Sequence, residues 1–256
     1  MLSKTHLYFN THLGQQKPQT IAGQNAYCPF CDRDALVDII EESGPILWLK
    51  NKYPVLADTF QTVLIETDIC NSDLSIYPRE HLHKVIRFGV EKWLEMESSG
   101  QYSSVIFFKN HGPYSGGTIL HPHMQIVGLK NIDYRENIQA ADFQGVAIHQ
   151  SNHVDFNISV KPRVGFFEFN IVLHNLSKLD QMADFIQIAV HYVLHHFMKF
   201  CQSYNLFFYK LPHGIAAKII PRFITSPLFI GYTIPQVSDK TNEIAQDVSR
   251  RYFSHS

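Results

Sequence analysis

The sequence predicts an α+β fold in which antiparallel strands carry packed helices, arranged as two related halves. Three observations predict it: short β-branched runs with period-two alternation, two long stretches with apolar residues at helical spacing, and one order of elements that occurs twice. In the first half, residues 46–49 (ILWL) make a short strand that turns at Asn51-Lys52-Tyr53-Pro54. Residues 60–67 (FQTVLIET) alternate and are β-branched, which predicts a second strand. After Pro78, residues 79–98 predict a helix with Leu82, Val85, Ile86, Val90 and Trp93 on one face. Residues 104–109 and 119–129 predict two strands around a glycine-bearing loop. Residues 1–26 are polar and mixed, which predicts an extended arm.

The second half repeats this order. Residues 167–173 (FEFNIVL) match the strand at 60–67, and Asn175-Leu176-Ser177-Lys178-Leu179 echoes Asn71-Ser72-Asp73-Leu74. A helix over 179–203 and strands at 206–210 and 215–221 complete the copy. The boundary falls between 1–130 and 131–256. Where the first half has His121-Pro122-His123, the copy has Ile215-Ala216-Ala217-Lys218. Histidines kept in one half and lost from the other point to a role outside the fold.

Composition narrows the function. The chain holds 22 Lys and Arg against 23 Asp and Glu, so no basic field argues for nucleic acid. No apolar run approaches the roughly 20 residues of a membrane span, and the first residues lack the apolar core of a signal peptide. A cytoplasmic protein is expected. Such a chain has little use for disulfides, so Cys28-Pro29-Phe30-Cys31 reads as metal or redox chemistry. A redox pair belongs at a strand-to-helix junction of a thioredoxin-like unit, which is not evident here, so metal is favoured.

On a strand from Ile119, His121, His123 and Gln125 face one way, and Pro122, Met124 and Ile126 the other. Upstream, Gly112, Gly116 and Gly117 let backbone approach a ligand and turn N–H groups toward an anion. A histidine beside such a loop suits attack on phosphorus, because imidazole is both a good nucleophile and a good leaving group. A polar hairpin with solvated histidines stays open on these residues alone.

Cys28-Pro29-Phe30-Cys31, Asn51-Lys52-Tyr53-Pro54, Ile65-Glu66-Thr67, Asn110-His111-Gly112, Ser115-Gly116-Gly117-Thr118 and His121-Pro122-His123-Met124-Gln125 occur in the order seen in galactose-1-phosphate uridylyltransferases. The chain resembles that branch of the histidine-triad superfamily, in which Gln replaces the third triad histidine. The resemblance is good over 25–130 and weak beyond. Most closely, the chain is similar to a compact bacterial group related to those transferases, the DUF4931-like proteins.

The resemblance implies two halves of histidine-triad type, the second degenerate. It implies that His123 is the nucleophile and that Gln125 hydrogen-bonds the phosphoryl oxygens. It sets Asn110, Gly116, Gly117 and Thr118 around the phosphates and Asn51 against the nucleotide. It further implies a structural zinc on Cys28, Cys31 and His121, with Cys70 where the family has histidine. Met124 stands where the family usually has glycine, and its side chain is expected on the far face. The activity implied is a nucleotidyltransferase passing through a nucleotidyl-histidine. Its substrates would be a nucleotide sugar or dinucleotide and a phosphorylated acceptor, and a homodimer is compatible with this. Rival readings are a dinucleotide hydrolase or phosphorylase, and a non-catalytic nucleotide-binding protein. His81, His83, His191, His195 and His196 read as structural or solvated, Cys201 as a buried small side chain, and His213 as a sugar-side candidate.

Overall fold

The computed structural model describes residues 6–21, 27–198 and 201–254. The chain divides into two compact units, Met1–Asp73 with Arg87–Asn137, and Leu74–Ile86 with Ile138–Ser256.

The first unit is built on strands β1 (Ile39–Ser43), β2 (Ile46–Lys50), β3 (Thr59–Ile65), β4 (Ser104–His111) and β5 (His123–Leu129). They pair antiparallel in the order β1-β2-β3-β5-β4. A short helix α1 (Thr11–Gln15) precedes them, and α2 (Arg79–Ser98) joins β3 to β4. The predicted apolar face of α2 is buried at every position: Leu82, Val85, Ile86, Val90 and Trp93. Trp93 Nε1 donates to the Val105 carbonyl at 2.8 Å. At Gly89 a Cβ would lie 2.5 Å from the Phe107 ring, so only glycine permits this approach of α2 to the sheet.

Register sorts the central side chains. Ile65 pairs with His123, Leu64 with Met124, and Val63 with Gln125. Leu64 and Met124 are fully buried together, so Met124 packs on the helix-covered side as expected. On the opposite side, Val63 and Ile65 join Phe30, Leu47 and Leu49 in an apolar cluster, with Cys28, Leu36 and Ile119 packed against it. That cluster is the floor of the site.

The second unit has β6 (Gly145–Gln150), β7 (Val154–Ser159), β8 (Phe169–Leu173), β9 (Tyr204–Leu211) and β10 (Gly214–Pro221). Their order is β6-β7-β8-β10-β9, which repeats that of the first unit strand for strand. Helix α3 (Leu179–Tyr192) joins β8 to β9, as α2 joins β3 to β4; α4 (Pro227–Tyr232) and α5 (Thr241–Phe253) follow. Ile65 and Leu173 close their strands, and their partners are His123 and Ile215. By this count the copy has Ile215 for His123 and Ala217 for Gln125. The loop between the last two strands also shrinks, from residues 112–122 to 212–213, which carries His213.

Several boundaries differ from expectation. The strand expected from residue 119 begins at His123, because Pro122 has no N–H to donate and the residues before it belong to the loop. Helix α3 stops at Tyr192 and gives one π-helical turn, Val193–Phe197, so the helix expected to 203 is shorter; residues 199 and 200 lie outside the described residues. The arm expected to be extended contains α1, and its residues 1–5 and 22–26 lie outside the described residues. Strands β1, β6 and β7 and helices α4 and α5 had no counterpart in the sequence reading. Among the described residues, no helix is long and apolar enough to cross a membrane.

Candidate functional site

Cys28, Cys31, Cys70 and His121 converge, with one ligand atom of each lying within 4.8 Å of all the others. His121 is fully buried just before β5, and its Nε2 donates to the Thr67 carbonyl at 2.8 Å. That bond fixes the tautomer and leaves the Nδ1 lone pair facing the sulfurs, at 3.7 Å from Cys28 Sγ and 3.5 Å from Cys31 Sγ. A tetrahedral zinc with bonds of about 2.3 Å to sulfur and about 2.0 Å to nitrogen has edges of roughly 3.5–3.8 Å. The four residues fit such an ion. Without one, burial raises the Cys31 thiol, with Cys28 adding and Cys70 and Arg33 opposing, and burial together with the Cys31 and Cys28 thiols pushes that of Cys70 up to about 12. A divalent cation is what would make thiolates of them. His83 takes no part: its Nε2 lies 2.7 Å from Asp184 Oδ1.

Two residues along, His123 opens β5. Its buried ring donates through Nδ1 to the His121 carbonyl at 2.7 Å, leaving Nε2 with the free lone pair. Burial, aided by the charges of Lys109, His121 and Lys17 and opposed by the bond to His121, holds its pKa at about 4. The imidazole is therefore neutral at pH 7. Phe30 stands edge-on to both rings, 5.9 Å from His121 and 5.4 Å from His123. The side chain between the two cysteines thus braces both histidines.

A cavity of about 270 Å³ lies in front of His123. Its lining includes every residue expected at the nucleotide: His123, Gln125, Asn51, Asn110, Gly116, Gly117 and Thr118. The loop that carries the glycines folds on itself. Ser115 Oγ donates to the Gly112 carbonyl at 2.7 Å and accepts from the Gly117 N–H at 3.2 Å. Gly112 and Gly116 have φ of +82° and +84°, a region that a side chain disfavours. Asn51 Oδ1 accepts from the Tyr53 N–H at 2.9 Å, which leaves its amide NH₂ to face a ligand. Phe30, Leu36, Leu49 and Val63 supply apolar wall.

One feature was not read from sequence. Lys109 and Glu66 form a buried ion pair, and Lys109 Nζ also lies 3.4 Å from the His123 carbonyl. Lys109 stands in a stretch read as plain strand and Glu66 in the Ile65-Glu66-Thr67 motif, and charge inside a buried strand was the signal available. Lys17 lines the cavity from the arm. Elsewhere, His191 Nδ1 lies 2.7 Å from the Tyr252 hydroxyl, His195 Nε2 lies 3.4 Å from Ser75 Oγ, and Cys201 is buried.

This architecture is a fold shared with solved uridylyltransferases. A solved uridylyltransferase matches with a TM-score of 0.70 and 16% identity, over 88% of this chain and 90% of that one. An ADP-glucose phosphorylase from Arabidopsis thaliana, solved with bound ADP-glucose, matches with a TM-score of 0.69 and 15% identity, over 94% and 93%. The models of the domain of unknown function DUF4931 match residues 9–132 with its N-terminal domain and 135–253 with its C-terminal domain. A DUF4931 family protein from Bacillus cereus ATCC 10987 is 46% identical, with a TM-score of 0.78 over 85% of this chain and 100% of that one. The chain belongs to the DUF4931 family. No curated protein matches it.

Proposed function

We propose that the protein is a nucleotidyltransferase that works through a nucleotidyl-His123 intermediate. The observation that carries this reading is the His123 ring, buried at the cavity with Nδ1 bound to a carbonyl and Nε2 left free. In the first step Nε2 attacks the α-phosphorus of a nucleotide sugar or dinucleotide. A P–N bond forms, the P–O bond to the distal phosphate breaks, and the distal part departs with its electron pair. In the second step a phosphate oxygen of the acceptor attacks the same phosphorus and His123 leaves. Gln125 donates its amide N–H to the phosphoryl oxygens, and Asn110 with the loop Gly116-Gly117-Thr118 lies around the phosphates. Asn51 reads the nucleotide.

The metal in this reading is a structural zinc held by Cys28, Cys31, Cys70 and His121. It ties the Cys-Pro-Phe-Cys turn to the residue two before the nucleophile, and the chemistry runs on the side chains alone. Residues 1–130 are the working half, and 131–256 have lost the chemistry, as Ile215 and Ala217 at the positions of His123 and Gln125 indicate.

Intact-protein mass spectrometry after incubation with nucleotide sugars and dinucleotides tests this reading. It predicts a gain of one nucleoside monophosphate unit that Ala at position 123 abolishes. Chasing the adduct with a sugar phosphate, inorganic phosphate or water identifies the acceptor. Nucleotide binding with no adduct from any donor would replace this reading with that of a binding protein.

A further inference from the structure

Two residues past the cysteine pair, Arg33 opens the short 3₁₀ turn Arg33–Ala35. The turn is held by its own backbone: the Ala35 N–H donates to the Asp32 carbonyl at 3.3 Å and the Leu36 N–H to the Arg33 carbonyl at 3.2 Å. Leu36 then packs on the apolar cluster at the floor of the site, and the Asp32 carboxylate accepts from the Tyr27 hydroxyl. The Nε and Nη2 atoms of Arg33 are buried, and among the described residues neither has a hydrogen-bond partner. Donors of a cation withdrawn from water without an acceptor are costly unless opposite charge stands near.

The opposite charge is that of the candidate metal centre. Arg33 is felt at two of its four residues: it opposes burial at the Cys31 thiol and acts alongside burial at His121. Three thiolates and a neutral imidazole around a doubly charged zinc leave the centre net negative. The third thiolate is that of Cys70, and a neutral ligand in its place would leave the centre without net charge.

We infer that Arg33 is an outer partner of the metal centre, and that its guanidinium balances the negative charge contributed by Cys70. The inference rests on the zinc reading above and adds to it a coupling between Arg33 and Cys70. A guanidinium suits this role because it stays charged at any working pH and is weakly hydrated. It acts through charge and not as a ligand.

The test is the zinc affinity of the full chain, measured by competition with a chromogenic chelator. Arg33→Met and Arg33→Lys are compared in the native chain and in the Cys70→His background, with Arg33→Gln as a second neutral variant should Arg33→Met not fold. In the native chain, Arg33→Met is expected to weaken zinc by about 10- to 100-fold, the range seen when an outer partner of a metal site is lost. Arg33→Lys is expected to keep most of the affinity, because it keeps the charge. In the Cys70→His background the centre is neutral, so Arg33→Met is expected to change affinity by less than about threefold. Equal zinc affinity in the native chain and Arg33→Met overturns the inference and leaves the zinc reading standing. Equal losses in the two backgrounds also overturn it, since Arg33 would then serve packing and not charge balance. A native chain that binds no zinc overturns both.

Discussion

His123 Nδ1 lies 2.7 Å from the carbonyl oxygen of His121, whose own ring nitrogen faces the three cysteines. One peptide group therefore couples the candidate metal centre to the candidate nucleophile. Anything that moves His121 moves the acceptor that fixes the His123 tautomer.

Gln125 is two residues along β5 from His123 and lines the same cavity. Replacing it by Leu removes an amide donor while keeping similar bulk. Single-turnover transfer should slow on the order of 10²-fold, with nucleotide affinity changed by less than about threefold. Equal losses in rate and affinity would assign Gln125 to ground-state binding instead.

Metal analysis of protein purified without chelator should find one zinc per chain. Cys70→Ala should lower zinc retention and the melting temperature, whereas Cys70→His should keep both, since zinc accepts either ligand. A strong chelator should destabilise the native chain, and mild acid should do the same by protonating the thiolates. A melting temperature indifferent to chelator contradicts the metal assignment.

The Lys109–Glu66 pair is buried beneath His123. Glu66→Gln leaves a buried ammonium uncompensated and should cost about 3–5 kcal/mol, seen as a lower urea midpoint. Replacing both partners together with Met and Leu should recover much of that loss. A double variant as unstable as Glu66→Gln would show that the charges themselves are needed.

His111, at the end of β4, is held at about 4 by burial first and then by the charge of Lys109, with Asp73 opposing. It stays neutral when folded but takes a proton near pH 6.5 when unfolded. Between pH 6.5 and 4 the unfolded chain therefore binds the extra proton, so stability is lost as pH falls through that window, by about 3 kcal/mol. NMR titration of the His111 ring, with urea unfolding at several pH values, measures both. A ring that titrates near 6.5 in the folded chain would contradict this.

Burial on at least one face made most central strands legible, though not β7, which is buried along nearly its whole length and has no counterpart in the sequence reading. The alternation at 60–67 and the apolar face of 79–98 led directly to β3 and α2, and the spacing of His123 and Gln125 set them on one side of β5. Strands β1 and β6 stand at the ends of their units' orders with mostly exposed side chains, so burial imprinted no period on them. His121 was placed on a strand by the same alternation, but Pro122 ends the ladder before it. Cys70 is far in sequence from its companions, and only a family pattern suggested it. Lys17 sits in a polar arm with no periodicity, and its place in the cavity is set by hydrogen bonds of its neighbours to the glycine loop.

The central claim is that His123 takes up a nucleotidyl group, and intact-mass measurement of the native chain beside His123→Ala tests it most directly. After incubation with nucleotide sugars and dinucleotides, the native chain should gain one nucleoside monophosphate unit, mapping to His123 by peptide fragmentation. His123→Ala should gain none while keeping its zinc and a melting temperature within a few degrees. An adduct that persists in His123→Ala, or a native chain that binds these nucleotides and is never modified, would contradict the account.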